Sequence, residues 1–286
     1  MKQLVTLLSF LVISLSADGQ ILYKITGNGL DKPSYLMGTH HLCPGSFCDS
    51  LPGFNQAFEQ VERICCEIDM IHQSPAQAQA LYQHMILPEG QTLASLYTEE
   101  QRQQLDQWLK PYFGGGTEIL VNLKPVTVMI NVQNQILTKA MPKITTEPGI
   151  DVYLQQLAVD RNKEIAALET MEFQMEMLYN EPLEEQAEAL LAIFQNEDLE
   201  AISLELTDAY RSQDIRAIKR LIRKESGGKE SYNKMIKSRN LNWMEQIPQL
   251  ISQQPTLIAV GAGHLPGRYG LIRQLKKAGY TVEAVR

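Results

Sequence analysis

The chain has 286 residues, of which 44% are hydrophobic and 21% are charged, so it has enough apolar side chains for a sizeable globular core. Its formal net charge is −7 and it has no long basic run. This balance argues against a nucleic-acid-binding protein, which normally presents a basic face, and mainly favours solubility.

The N-terminus has the pattern of a secretory signal peptide. Lys2 is followed by an apolar stretch over residues 4–15 and then by the small residues Ala17 and Gly19. We predict a signal peptide over residues 1–19, cleaved before Gln20, and an exported protein that is periplasmic or secreted. The alternative is an uncleaved anchor, but the run is shorter than the ~20 residues that span a bilayer. We therefore expect no stable membrane insertion after cleavage.

The first part of the mature chain alternates strand and turn signals. Strands are predicted over residues 21–26 and 34–37, joined as a hairpin through the turn at 27–29. A helix follows over 51–61 and a strand over 63–69. The period-2 alternation of that strand places four residues on one face: Arg63, Cys65, Glu67 and Asp69.

The middle of the chain is predicted to be largely helical. Residues 74–180 and 182–251 are rich in Gln, Glu, Leu and Ala, with breaks at Pro and Gly. One short apolar stretch, over residues 164–168, is predicted to be a strand that leads into Glu169.

The C-terminal part is predicted to be strand, helix, strand. The strands cover residues 256–260 and 281–285, and the helix covers 269–278 with Gly279 as its stop. This order suggests a parallel pair joined by a right-handed crossover. The predicted fold is α/β: one domain over residues 20–286, with a mixed central sheet and a large, mostly helical insertion.

Two segments near opposite ends of the mature chain share the pattern Gly-x-x-His-Leu. The first runs from Gly38 to His41 and the second from Gly261 to His264, and each follows an apolar strand. Ligands of α/β sheets gather beyond the carboxyl ends of strands, and glycine at a strand end allows close backbone approach. Two such turns bring both imidazoles to one point if their strands are neighbours. With Glu67 from a further strand end, the set is two histidines and a carboxylate, which is typical of a catalytic divalent-metal site.

Other interpretations of the histidines stay open at this stage. Both Gly-x-x-His histidines also fit ordinary turn and surface positions. His40 stands beside His41, so either ring is a candidate for the site. His72 and His84 fall on a loop and a helix and are interpreted as structural or solvent-exposed.

Several short motifs resemble, in their order, those of the TraB/PrgY/GumN family, which includes the Tiki proteases. The resemblance covers nearly all of the mature chain. The motifs are residues 35–41, the strand ending in Glu67, residues 148–151, residues 167–170 with Gln174, residues 238–240 with Met244, and residues 260–267, followed by the closing stretch 270–282.

The resemblance implies a core similar to that of erythromycin esterases, ChaN-like proteins and Tiki proteins. It further implies a metal-dependent protease that acts on a peptide or protein substrate, with a divalent metal ion as cofactor. Manganese or cobalt is favoured, and zinc is an alternative. The functional residues of Tiki-type members match His41, His264, Glu67 and Arg239. His40 departs from the family pattern.

Roles follow from the chemistry of each group. Glu67 is either the third metal ligand or the base that takes a proton from water. Arg239 is expected to hold a substrate carboxylate or an oxyanion, against the alternative of a solvated charge on a helix. Glu169 is a general base, a second ligand or a partner that orients a histidine, or else a residue of a helix N-terminus capped by Thr170. For Asp151 we predict N-capping of a helix.

The four cysteines are Cys43, Cys48, Cys65 and Cys66. After export the first two could form a local disulfide across the Pro-Gly turn, but spacing alone does not fix the pairing. Zinc binding by all four is disfavoured because two of them are adjacent.

The leading prediction is an exported metal-dependent hydrolase, most specifically a metallopeptidase. The alternatives are a protein that sequesters a peptide without turnover and a hydrolase of a non-peptide substrate. The sequence has no Gly-x-Ser-x-Gly elbow, P-loop or Rossmann fingerprint, so these classes are not predicted.

Overall fold

A six-stranded mixed sheet forms the centre of the protein. The computed structural model describes residues 19–141, 143, 146–196, 199–225 and 228–286, so the predicted signal peptide lies almost entirely outside the described residues. The strands are Leu22–Thr26 (β1), Ser34–Thr39 (β2), Arg63–Cys66 (β3), Glu164–Ala167 (β4), Thr256–Gly261 (β5) and Thr281–Ala284 (β6). Their order in the sheet is β4-β3-β5-β2-β1-β6.

Four adjacent strands of this sheet are parallel. β4, β3, β5 and β2 run in the same direction, whereas β1 is antiparallel to both β2 and β6. The predicted hairpin of β1 and β2 is confirmed, with Leu22 opposite Met37. The last two strands run parallel, as predicted, but they are not neighbours, because β2 and β1 lie between β5 and β6.

Helices cover the sheet and form the predicted insertion. In chain order they are Phe54–Gln60 (α1), Pro75–Met85 (α2), Glu99–Phe113 (α3), Pro125–Ala140 (α4), Ile150–Asp160 (α5), Met171–Tyr179 (α6), Leu183–Asn196 (α7), Leu199–Arg211 (α8), Ile215–Glu225 (α9), Lys229–Tyr232 (α10), Arg239–Gln253 (α11) and Leu271–Lys277 (α12). A π-helical turn, Asn233–Ser238, joins α10 to α11. The predicted α/β class, with a mixed sheet and a helical insertion, is confirmed.

Apolar side chains from the two faces of the sheet belong to two separate cores. Cys66 of β3 packs in one core with side chains of α1, α5 and α9, and Cys65 packs in the other with side chains of α11 and α12. This confirms the alternation predicted for β3, in which adjacent residues point to opposite faces. A third core joins α3, α4 and α7 within the insertion.

The same alternation separates the side chains of the adjacent Cys65 and Cys66. All four are buried and free. Because Cys65 and Cys66 face opposite cores, these neighbours cannot be ligands of one ion. The local disulfide between Cys43 and Cys48 is not formed in this structure.

Candidate active site at the carboxyl edge of the sheet

The carboxyl ends of the four parallel strands lie at one edge of the sheet. Thr39 at the end of β2 is in register with Gly261 at the end of β5, and Cys66 of β3 is in register with Ala259 and Ala167. The predicted neighbourhood of the two Gly-x-x-His strands is therefore confirmed. Four chemically active residues follow these strand ends, in sheet order: Glu169, Glu67, His264 and His41.

Two glycines let the chain pack closely at this edge. A Cβ atom on Gly38 would lie 3.0 Å from Ala262, the first residue of the turn that carries His264. A Cβ on Gly261 would lie 3.3 Å from Oε1 of Glu67. Larger residues would push these elements apart, since such distances are at or below van der Waals contact.

His264 is buried and is held as a neutral imidazole. Its Nδ1 lies 2.6 Å from Oδ1 of Asn240, whose amide nitrogen donates to the backbone carbonyls of His264 and Tyr269. Since Oδ1 can only accept, the ring proton is on Nδ1 and the lone pair is on Nε2. Burial lowers the pKa of His264 to about 3. The ring also packs 4.4 Å from the Trp243 ring.

Glu67 is buried beside His264 and is ionised. Its Oε1 accepts the Gly261 N–H at 2.8 Å, and its Oε2 accepts from Arg239 at 2.5 Å and from Gln174 at 3.0 Å. Burial by itself raises the pKa of Glu67, but the Arg239 and His41 cations and the Gly261 N–H outweigh burial and lower it to about 2. Oε1 lies 3.8 Å from Nε2 of His264.

Arg239 links the two buried glutamates. Its Nε and Nη2 donate to the two oxygens of Glu169 at 2.9 and 2.7 Å, and Nη2 also reaches Glu67. Its Nη1 lies 3.2 Å from Nε2 of His264. The side chain is 6% exposed, so the alternative of a solvated helix charge is wrong. One guanidinium between two carboxylates leaves this buried cluster with an excess negative charge.

Glu169 contacts Arg239, and no contact of its carboxylate with a histidine is found among the described residues. Its carboxylate accepts from Arg239, from the Trp243 indole N–H at 2.9 Å and from Gln174 at 3.1 Å. Thr170 caps α6 by accepting the Phe173 N–H, which agrees with the alternative that Glu169 precedes a helix capped by Thr170. The arrangement of Glu169 is that of a group that fixes the orientation of Arg239.

His41 lies at the exposed end of the site. Its ring is 70% exposed, and Nδ1 lies 2.7 Å from Oδ2 of Asp151. The other Asp151 oxygen accepts the Thr39 hydroxyl at 2.7 Å. The Asp151 carboxylate raises the pKa of His41 to about 9. The N-capping role predicted for Asp151 is wrong, because Gly149 is the N-cap of α5 and Asp151 lies in its first turn.

His40 has both ring nitrogens engaged in contacts within the fold. Nδ1 accepts the Leu42 N–H at 3.3 Å, and Nε2 lies 3.3 Å from the Thr207 hydroxyl. The ring packs edge-on against Tyr210, and burial lowers its pKa to about 4. His41, by contrast, has an Nε2 with no hydrogen-bonding partner among the described residues, so His41 is the better candidate for a ligand.

The donor chemistry suits a divalent ion, but the donors are not assembled around one point. Both Gly-x-x-His histidines have Nδ1 held by an oxygen acceptor, which directs Nε2 outward, as in metal sites whose histidines are oriented by a carboxylate or carbonyl. In the described part of the chain, however, no three His, Cys, Asp or Glu side chains are close enough together to hold a metal ion.

Three partners in the site were not assigned roles by sequence reasoning. Asn240, Gln174 and Trp243 orient His264, Glu67 and Glu169. Asn240 and Gln174 belong to motifs that carry the family resemblance, which was the available signal. Trp243 lies one turn after Arg239 on α11, at the helical spacing that places both side chains on one face.

The fold and the site define an α/β protein with a buried Arg–Glu–Glu cluster and two oriented histidines at the carboxyl edge of its sheet. The chain belongs to the TraB/PrgY/gumN family, whose sequence model matches residues 21–284.

The chain is also similar to curated proteins named as metalloproteases. It is 27% identical to Metalloprotease TIKI1 of Danio rerio, over 88% of this chain and 61% of the relative. It is 26% identical to Metalloprotease TIKI1 of Xenopus tropicalis, over 88% and 59%, and 24% identical to a Metalloprotease TIKI homolog of Nematostella vectensis, over 89% and 65%. The chain thus spans about three fifths of the length of these relatives. No solved structure matched it significantly.

Proposed function

We propose that this protein is an exported, metal-dependent hydrolase and, more specifically, a metallopeptidase. The family membership and the names of the relatives support a metal-dependent hydrolase. In this proposal His41, His264 and Glu67 hold one divalent metal ion, and the substrate is a peptide or protein.

The observation that carries the proposal is the pairing of His264 with Glu67. A neutral imidazole with its lone pair on Nε2 lies 3.8 Å from an ionised carboxylate oxygen. Two ligands bound at about 2.0–2.2 Å to one tetrahedral ion lie about 3.5 Å apart. A small shift would therefore bring both to a common ion, and the excess negative charge of the buried cluster favours a cation.

His41 is proposed as the third ligand. Its exposed ring is held at Nδ1 by Asp151, and Nε2 has no other hydrogen-bonding partner among the described residues. Because the Asp151 carboxylate raises the pKa of His41 to about 9, a metal ion would have to displace the proton on Nε2. Binding requires this ring to approach His264 and requires Arg239 to release its 3.2 Å contact with Nε2 of His264. Imidazole and carboxylate ligands together suit manganese, cobalt or zinc.

The chain's own residues supply the remaining functions. A bound divalent ion would polarise the scissile carbonyl and lower the pKa of water toward neutrality. Arg239 would offer Nη1 to the oxyanion that develops on the substrate. Glu169, with three different donors on its carboxylate, would position Arg239 and take no proton itself. Gln174 and the Gly261 N–H would fix the Glu67 carboxylate.

Export is proposed from the signal-like N-terminus, with the mature domain in the periplasm or secreted. Of the helices in the described ranges, none combines the length and apolar character needed to cross a membrane.

A peptide-library cleavage assay tests the function. The protein is freed of metal with a chelator and then assayed with manganese, cobalt or zinc restored. We expect cleavage that requires metal, is abolished in His264→Ala and is kept in the matched control His84→Ala, since His84 lies in the last turn of α2. Peptide binding without cleavage under all metals would instead indicate a sequestering protein, and cleavage of esters alone would indicate a non-peptide substrate.

A further inference from the structure

The basic residues of this acidic protein are concentrated in one part of the chain. Residues 215–280 contain 13 of the 26 Lys and Arg residues but 3 of the 33 acidic residues. This segment therefore carries a formal charge of +10, whereas the rest of the chain carries −17. The segment includes α9, the π-helical turn, α11 and the turn that holds His264.

Helix α9 presents cations on its outer side. Five basic residues lie within its eleven positions: Arg216, Lys219, Arg220, Arg223 and Lys224. Its apolar residues, including Ile218 and Leu221, are buried in the core under the sheet. Such an amphipathic pattern fixes the orientation of the helix, so the basic side must face outward.

This helix packs against the turn that carries His264. A Cβ built on Gly263, the residue before His264, would lie 3.2 Å from Ile222 of α9. A Cβ built on Gly267 would lie 3.6 Å from Cε of Lys219. The cation of Lys219 is therefore brought to the loop that directly follows the candidate metal ligand.

Two further cations meet at the same loop. The Lys237 ammonium lies 4.9 Å from the centroid of the Tyr269 ring, and the Arg268 guanidinium lies 5.5 Å from it. We call Lys219, Lys237 and Arg268 the cationic rim. Lys219 lies beside Gly267, Lys237 lies over the Tyr269 ring, and Arg268 belongs to the loop itself, so all three are placed at residues 267–269, three to five positions after His264.

We propose that the cationic rim binds acidic side chains of the peptide substrate beside the scissile bond. This inference rests on the proposed function and names the substrate class of that site. A membrane surface is the less favoured partner, because the apolar side of α9 is already buried and cannot insert into lipid. The position of the rim next to His264 favours a ligand that also reaches the active site.

The test compares two fluorescent peptides that differ only by replacement of Asp and Glu with Asn and Gln. Binding to the full chain is followed by anisotropy at low and at high salt. The rim variant Lys219→Gln/Arg268→Gln is matched by Lys24→Gln/Lys110→Gln, which removes two cations from β1 and α3. Two charges acting across about 7 Å of water contribute roughly a five- to tenfold change in Kd.

At low salt, we expect the wild-type protein to bind the acidic peptide at least tenfold more tightly than the neutral peptide. In the rim variant, the Kd for the acidic peptide should rise five- to tenfold. The control should stay within twofold, and high salt should remove the preference. Equal binding of the two peptides, or equal losses in both variants, would overturn the proposal. So would rim-dependent binding to vesicles of anionic phospholipid without discrimination between the peptides.

Cleavage of the two peptides separates this inference from the proposed function. Acidic-peptide binding without any cleavage would contradict the peptidase function and leave the recognition by the rim intact. Cleavage of both peptides without a charge preference would support the peptidase function and contradict the recognition of acidic side chains by the cationic rim.

Discussion

Replacing Arg239 with methionine should destabilise the protein severely. The guanidinium is 6% exposed and donates to Glu67 at 2.5 Å and to Glu169 at 2.7 Å. Methionine has a similar length and no charge, so Arg239→Met leaves two carboxylates buried near each other without their counter-ion. Their mutual repulsion and lost solvation act only in the folded state.

The expected loss is about 3–5 kcal/mol of unfolding free energy, the usual cost of removing one partner from a buried ion pair. For a domain of this size, that corresponds to a fall in Tm of roughly 6–10 °C. A second substitution should relieve part of the loss. In the Arg239→Met background, Glu169→Gln removes one unpaired charge, so the two losses should be less than additive by at least about 1 kcal/mol.

Urea unfolding followed by circular dichroism measures both the loss of unfolding free energy in Arg239→Met and its non-additivity with Glu169→Gln. Arg161→Met is the matched control, because Arg161 pairs with Glu59 at 2.7 Å while both side chains are more than half exposed. Exposed pairs contribute about 1 kcal/mol or less. If Arg239→Met costs no more than Arg161→Met, the buried cluster described here does not exist in solution.

Two other predictions follow from packing and burial. Gly149→Ala should lower the free energy of unfolding by at least about 2 kcal/mol and displace the His41 turn, because a Cβ at this position would lie 1.9 Å from the His41 carbonyl oxygen. The control Gly90→Ala should cost about 1 kcal/mol, because its Cβ meets only open space and the cost comes from the positive φ. Equal losses of the two variants in urea unfolding would refute the contact between Gly149 and His41. Burial raises the pKa of Cys43 to about 11 and of Cys65 to about 12, and thiolates are the reactive form. At pH 8 the native protein, prepared without a reducing agent, should therefore not react with a thiol reagent. In urea all four thiols should react. If only two thiols react in urea, the other two form a disulfide.

Much of the sheet edge could be predicted because buried parallel strands have a strong local signal. The apolar stretches that lead into Glu67 and His264 are short, continuous and bounded by glycine or proline. These patterns place an ionisable side chain at the end of each strand without any knowledge of the strand order. The glycines before each histidine similarly indicate the close backbone approach that the structure contains.

The partners of these residues could not be predicted in the same way. Asp151 contacts His41 across 110 positions of the chain, and its own local pattern indicates a helix start. The spacing of apolar residues along a helix does not specify which edge of the sheet the helix will contact. The separation of β5 and β6 in the sheet is likewise not predictable, because a strand-helix-strand pattern does not tell whether other strands lie between the two.

The most direct test of the proposed metal site is a titration of the metal-free protein with cobalt, followed by the visible absorption of the bound ion. We predict one ion per chain, with binding lost in His264→Ala, weakened at least tenfold in His41→Ala and unchanged in His84→Ala. A wild-type protein that binds no cobalt, manganese or zinc, or one whose binding survives His264→Ala, would contradict the proposed metal site at the carboxyl edge of the sheet.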